Sequence, residues 1–240
     1  LPSTRRLNDH AAGSDGRFST TAEARSSAMR SELIEVYDQV RAETPDCSIV
    51  VPVYNGVAFL KDSLGAVLSQ TGLVCDIVIS DDCSDDGSLE EVLSIVRSYA
   101  GPHSVRVYRT SVPAIVENMP LLVEASRCDC IIQAHQDDIS DPGRAVTLRK
   151  RLTGEVKLVT SLGRTLKAGK ITEPSAEAIA RLRENRSFDA LLHKGQGVVA
   201  GARYAMHRDL FRLFPQLSGD HLSHGHDVLL FIRAKILGAY

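Results

Sequence analysis

Four short runs of apolar, mostly β-branched residues recur along the chain: 47–53 (CSIVVPV), 75–80 (CDIVIS), 104–108 (SVRVY) and 130–134 (CIIQA). Runs of this length and composition read as strands buried on both faces. The stretches between them have helical period. Leu60, Leu64, Val67 and Leu68 mark one helix face, closed by Gly72, and Leu89, Val92, Leu93 and Val96 mark a second. A weaker third helix is expected to be interrupted by Pro120. Strands alternating with helices imply an α/β fold, a mainly parallel Rossmann-like sheet with helices on both faces. In such sheets ligands bind beyond the carboxyl ends of the strands. That rule selects three loops: 54–56, 81–88 and 135–142.

All three are loaded with polar residues. The first is Tyr54-Asn55-Gly56, directly after Pro52-Val53; the second lies in SDDCSDDGS (80–88), with four carboxylates; the third opens on His135-Gln136-Asp137-Asp138. Crowded carboxylates repel one another unless donors or a cation meet them. Taken singly, each loop has a plainer explanation, since Asp81, Ser84 and Asp85 suit a turn and a helix cap. Three on one sheet edge point to a ligand site. No G-x-G-x-x-G follows the first strand and no Walker-type loop is present, which argues against a dinucleotide or P-loop site.

A formal charge of −2 leaves no broad basic surface for nucleic acid. An anionic ligand must therefore be held by local groups or by a metal. The five cysteines (Cys47, Cys75, Cys83, Cys128, Cys130) are odd in number and scattered, which suits a reducing cytoplasm rather than a disulfide framework. Residues 1–20 are expected to be a disordered tether, and 21–46 an N-terminal amphipathic helix opened by Thr20 and Glu23 at capping-box spacing. Residues 47–240 would form the main domain, with a ligand-binding half (47–142) and a second half (143–240) truncated at its C-terminus. No run of 18 apolar residues is present.

Residues 48–88 (SIVVPVYNG…FL..SL..VLSQT…DIVISDDCSDDGS) closely resemble the nucleotide-binding half of family-2 glycosyltransferases, which have the GT-A fold. The resemblance extends over about 47–240. Its later part looks like the rhamnosyltransferase branch, which usually shows D-Q-D-D where this chain has His135-Gln136-Asp137-Asp138. Residues 201–208 (GARYAMHR) loosely match that branch's acceptor segment, and His226-Asp227 its His-Asp motif at the head of a helix.

The resemblance implies an enzyme that moves one sugar from a dTDP- or UDP-sugar, a rhamnose donor among the options, to a glycan or lipid-linked glycan in bacterial surface polysaccharide synthesis. Pro52, Tyr54 and Asn55 would contact the base, with Asp82 or Asp81 accepting its N3–H. Asn118 and Gln136 would line the donor pocket. Asp137, with His135, would hold Mn²⁺ or Mg²⁺ between the donor's phosphates. Asp227 would be the general base of a single, inverting displacement. Read without the resemblance, Tyr54 is equally an aromatic at the core edge and Asp227 equally a helix cap.

Two further clusters have ordinary readings. His221, His224 and His226 have zinc-like spacing, but their Ser, Gly and Asp neighbours suit a polar loop at the cleft mouth. Arg144, Arg149, Lys150 and Arg151 form a basic helical stretch that suits either solvent or peripheral contact with anionic lipid. His135, in place of an acidic residue, favours the alternative of a catalytically silent GT-A module.

Overall fold

A computed structural model describes residues 31–114, 118–177, 179–180, 203–214 and 225–238. The expected 1–20 tether, the first ten residues of the expected helix, and His221 and His224 lie outside them.

The four expected strands form as β2 (Cys47–Val53), β3 (Cys75–Asp81), β4 (Ser104–Thr110) and β5 (Cys130–Gln133). They are mutually parallel in the order β4-β3-β2-β5. On the far side of β5 the antiparallel strands β9 (Tyr204–His207) and then β6 (Leu158–Thr160) complete that edge. A separate hairpin pairs β7 (Thr165–Lys167) with β8 (Lys170–Thr172).

Alternation along the strands divides the core into two layers. Ile49, Val51, Val53, Ile77 and Ile79 face one side. There they meet α1 (Val57–Leu68), α2 (Ser88–Ser98) and α4 (Arg144–Arg151) through Leu60, Leu64, Val92, Val96 and Leu148. Val50, Val78 and Ile131 face the other side. They pack on α3 (Asn118–Ala125), the short α5 (Asp209–Arg212) and α6 (Gly225–Ile236) through Leu122, Leu210 and Phe231. Each side chain fully buried this way contributes about 1.5–3 kcal/mol, and the doubly covered sheet fixes where the strands end.

Two sequence expectations change. The segment 31–46 is not helical: β1 (Leu33–Gln39) pairs antiparallel with β4 as the other edge strand of a seven-stranded sheet. Leu33, Ile34, Tyr37 and Val40 satisfy a helical period, but LIEVYDQ is also β-branched and long enough for one strand. Over so short a run the two periods overlap, and pairing with an otherwise open sheet edge decides. Side-chain and backbone bonds pin both ends of the strand. Ser111 N–H donates to Glu32 C=O at 2.8 Å, and Arg41 and Ala42 N–H both donate to Ser104 Oγ at 2.9 and 3.0 Å. Nor does Pro120 interrupt its helix; it is the third residue of α3, within a first turn where a missing N–H costs little.

One buried ionic group braces the amino ends of β3 and β4. Asp76, fully buried, accepts from Arg106 Nη2 (2.7 Å) and Nε (3.2 Å), Arg127 Nε (3.2 Å) and Ser48 Oγ (3.0 Å). All five cysteines are free thiols. Among the described residues no helix is long and apolar enough to cross a membrane.

Candidate functional site

The chain order reverses between β2 and β5, and the parallel register brings the carboxyl ends of β2, β3 and β5 together: Val53 sits opposite Asp81, and Val50 opposite Gln133. The cavity of about 460 Å³ opens there, at the switch point where a doubly wound sheet leaves a crevice. From the first two strands and their loops come Pro52, Val53, Tyr54 and Asp82; from α3, Asn118 and Met119. Gln133, His135, Gln136 and Asp137 close the side made by β5, with Tyr204 of β9.

The crowded carboxylates of 81–88 separate into distinct jobs. Asp86 serves the starts of two helices. Its Oδ2 accepts from Val57 N–H at 3.0 Å, and its Oδ1 from the N–H (3.0 Å) and hydroxyl (2.5 Å) of Ser88. The Ser88 hydroxyl, helped by the Val57 and Ser88 backbone N–H groups, holds the Asp86 carboxyl below its ordinary range. Asn55 takes a left-handed backbone, φ 46°, a conformation Asn tolerates better than most residues. It ties the first loop to the second: its N–H donates to Ser84 Oγ and its Oδ1 accepts from Asp85 N–H, both at 3.0 Å. Asn55 and Asp81 therefore brace the site and do not line it. Asp81 Oδ2 accepts from Ser84 N–H at 3.2 Å and lies 3.7 Å from Arg109 Nε, while its Oδ1 is buried with no partner among the described residues.

Asp82 does line it. It is 1% exposed; its Oδ1 accepts from Thr110 Oγ1 (2.8 Å) and Ala114 N–H (2.7 Å). Its Oδ2 is buried with no hydrogen-bond partner among the described residues, and the same holds for Asn118 Oδ1 on the same cleft. Buried acceptors of this kind are costly unless a donor arrives. Both residues line the cleft, where a ligand's donors could meet these oxygens. Tyr54 stands 47% exposed at the cleft edge, where a flat ring could stack.

His135, Asp137 and Asp138 each offer a ligand atom, all within 4.8 Å of one another. One imidazole and two carboxylates suit a small divalent cation. Asp138 is an addition to the pair expected from sequence. Gln133 Nε2 sits 2.9 Å from His135 Nε2, while Gln133 Oε1 is buried without a partner among the described residues. Turning that amide over lets Oε1 accept from Nε2–H, which satisfies the oxygen and leaves the Nδ1 lone pair free for a cation. Arg144 donates to Gln133 C=O at 2.9 Å; burial lowers its guanidinium to about 10, and nearby Asp138 opposes the drop, so it stays a cation at neutral pH.

Gln136 lines the cleft, yet its amide is engaged by the backbone of Tyr54. Asp227 falls in the first turn of α6 with His226; their side chains lie outside the described residues. Met119, Gln133 and Tyr204 carry no local signal. Each reaches the cleft because of which strand or helix lies beside which.

The GT-A expectation is met by the architecture. A mannosyltransferase from Pyrobaculum calidifontis, PcManGT, determined in complex with GDP-Man and Mn²⁺, superposes with a TM-score of 0.58 at 15% identity, over 78% of this chain and 51% of that one. TarS 1–349 of S. aureus in complex with UDP gives 0.57 at 14% identity, over 79% and 55%, and the UDP-GlcNAc complex of TarS 1–349 gives 0.56 at 15%, over 79% and 53%. The chain thus spans about half the length of these proteins, and at such identity the likeness is one of fold. The family model described as Glycosyl transferase family 2 matches residues 48–211, from the start of β2 to α5 and including every cleft residue named above. The chain is therefore a member of Glycosyl transferase family 2.

Proposed function

We propose that this chain transfers a single sugar from a uridine or deoxythymidine diphosphate donor to an acceptor hydroxyl, with inversion at the anomeric carbon. The observation that carries the reading is the pair of buried acceptors, Asp82 Oδ2 and Asn118 Oδ1, that have no partner among the described residues and belong to side chains lining the switch-point cleft. A nucleoside supplies the matching donors, a base N–H and ribose hydroxyls. Uracil and thymine present N3–H to a carboxylate, whereas cytosine presents a lone pair at N3 and is repelled.

In this reading Tyr54 stacks on the base, Asp82 accepts N3–H and Asn118 meets the sugar moiety. His135, Asp137 and Asp138 would hold Mn²⁺ or Mg²⁺, which when bound offsets charge on the departing diphosphate. Asp227 removes the proton from the attacking hydroxyl as it approaches the anomeric carbon. A rhamnosyl donor is the finer form of the proposal and rests on the His226-Asp227 motif. The acceptor would be a surface glycan, free or lipid-linked, at the cytoplasmic face of a membrane. The exposed Arg149, Lys150 and Arg151 at the end of α4 suit anionic headgroups there.

The test is hydrolysis of UDP- and dTDP-sugars with Mn²⁺, with Mg²⁺ and with chelator. Release of UDP or dTDP is expected only with metal, and faster with Mn²⁺, because imidazole suits Mn²⁺ better than the oxygen-seeking Mg²⁺. His135→Asp is expected to move the preference toward Mg²⁺. Nucleotide binding without release under any metal would replace the enzyme by a silent binding module.

A further inference from the structure

The loop beside the base and the loop bearing the cation ligands are joined by one side chain. Tyr54 N–H donates to Gln136 Oε1 at 2.7 Å, and Gln136 Nε2 donates to Tyr54 C=O at 2.8 Å, across 82 positions of sequence. The amide therefore pairs with backbone as a neighbouring strand would. Turned over, it would set donor against donor and acceptor against acceptor, so its orientation is fixed.

Gly56 makes room for it. Its backbone, φ −121°, is open to any residue. Yet a Cβ there would lie 2.4 Å from Gln136 Cδ, 2.5 Å from Oε1 and 2.8 Å from Nε2. Only a side chain without Cβ lets the amide lie over this turn. The adjoining Asn55 and Val57 are meanwhile held by Ser84 and Asp86, so the latch completes a chain of bonds from the 81–88 loop, through 54–57, to 135–138.

We propose that Gln136 is a positioning residue whose amide latches the base loop to the cation loop, so that filling one site orders the other. This rests on the function proposed above. It differs from a ligand contact, which would weaken nucleotide binding without linking the two sites. Ordering shared through a latch appears as a coupling free energy, equal in both directions.

Uridine isolates the effect, because it has a base and ribose but no phosphate to touch the cation. Free Mn²⁺ is titrated into the full chain by electron paramagnetic resonance, with and without saturating uridine. In the wild type uridine should tighten Mn²⁺ binding by about fivefold or more. In Gln136→Ala that factor should fall to one, with Mn²⁺ still bound through His135, Asp137 and Asp138. Gly56→Ala, which displaces the amide without removing it, should lose the coupling too. Either variant suffices if the other fails to fold by circular dichroism. A wild-type Mn²⁺ affinity that uridine leaves unchanged, or coupling that survives in a folded variant, overturns the latch. Failure of the wild type to bind Mn²⁺ even with UDP present would instead overturn the function on which it rests.

Discussion

Asp137→Ala is expected to abolish metal-dependent donor binding and to lower transfer by about a hundredfold or more, the scale of several kcal/mol of charge stabilisation. Asp137 is exposed, lines the cleft and shares its cation-sized cluster with His135 and Asp138. Removing it leaves one carboxylate and one imidazole, too little charge and too few oxygens for Mg²⁺ and a weak set for Mn²⁺. Its side chain contributes nothing to the core, so the fold and the melting temperature without ligand should not change. Calorimetric titration of Mn²⁺ in the presence of UDP checks it. Retention of the wild-type Mn²⁺ affinity would move the cation elsewhere.

Asp227→Asn is expected to preserve the fold and UDP binding while lowering transfer by about a hundredfold or more, the usual range for a lost general base. The asparagine keeps the shape and the capacity to accept a hydrogen bond in the first turn of α6, so a capping role would survive the change. Loss of transfer with unchanged donor affinity therefore separates base from cap. Transfer near the wild-type rate would reduce Asp227 to a cap. Assays at saturating donor, following acceptor glycosylation rather than donor hydrolysis, make the comparison, because water as acceptor needs the base less.

Much of this was legible because the parallel core is written locally. CSIVVPV and CDIVIS are too short and too β-branched for helices, and the polar loops that follow them mark the sheet's carboxyl edge. Tyr54, Asp82, His135 and Asp137 all follow such strands in sequence, and all four line the cavity at that edge. What local pattern could not supply was pairing at a distance. LIEVYDQ became a strand because β4 had an open edge, and Tyr204 entered the cleft because β9 lies against β5. The choice between Asp81 and Asp82 was also beyond a pattern of adjacent carboxylates. Their place at the cleft separates them: both are buried and each keeps one oxygen unpartnered among the described residues, but Asp82 lines the cavity, whereas Asp81 does not and turns its Oδ2 toward Ser84 and Arg109. Asn55, expected beside the base, ties the first loop to the second through Ser84 and Asp85 and is not among the residues lining the cavity.

The most direct measurement is calorimetric titration of the chain with UDP, dTDP, GDP, CDP and ADP in Mn²⁺, repeated on Asp82→Asn. UDP and dTDP should bind far more tightly than CDP and ADP. Asp82→Asn should weaken them by roughly 10- to 100-fold, the equivalent of the 1.5–3 kcal/mol carried by a hydrogen bond to a charged group. GDP tests the same carboxylate with a purine whose N1–H also donates; a preference for it would keep Asp82 as the reader and change the base. Equal affinity for all five, or an Asp82→Asn chain that binds as the wild type does, would contradict a nucleotide site at the β2–β5 cleft.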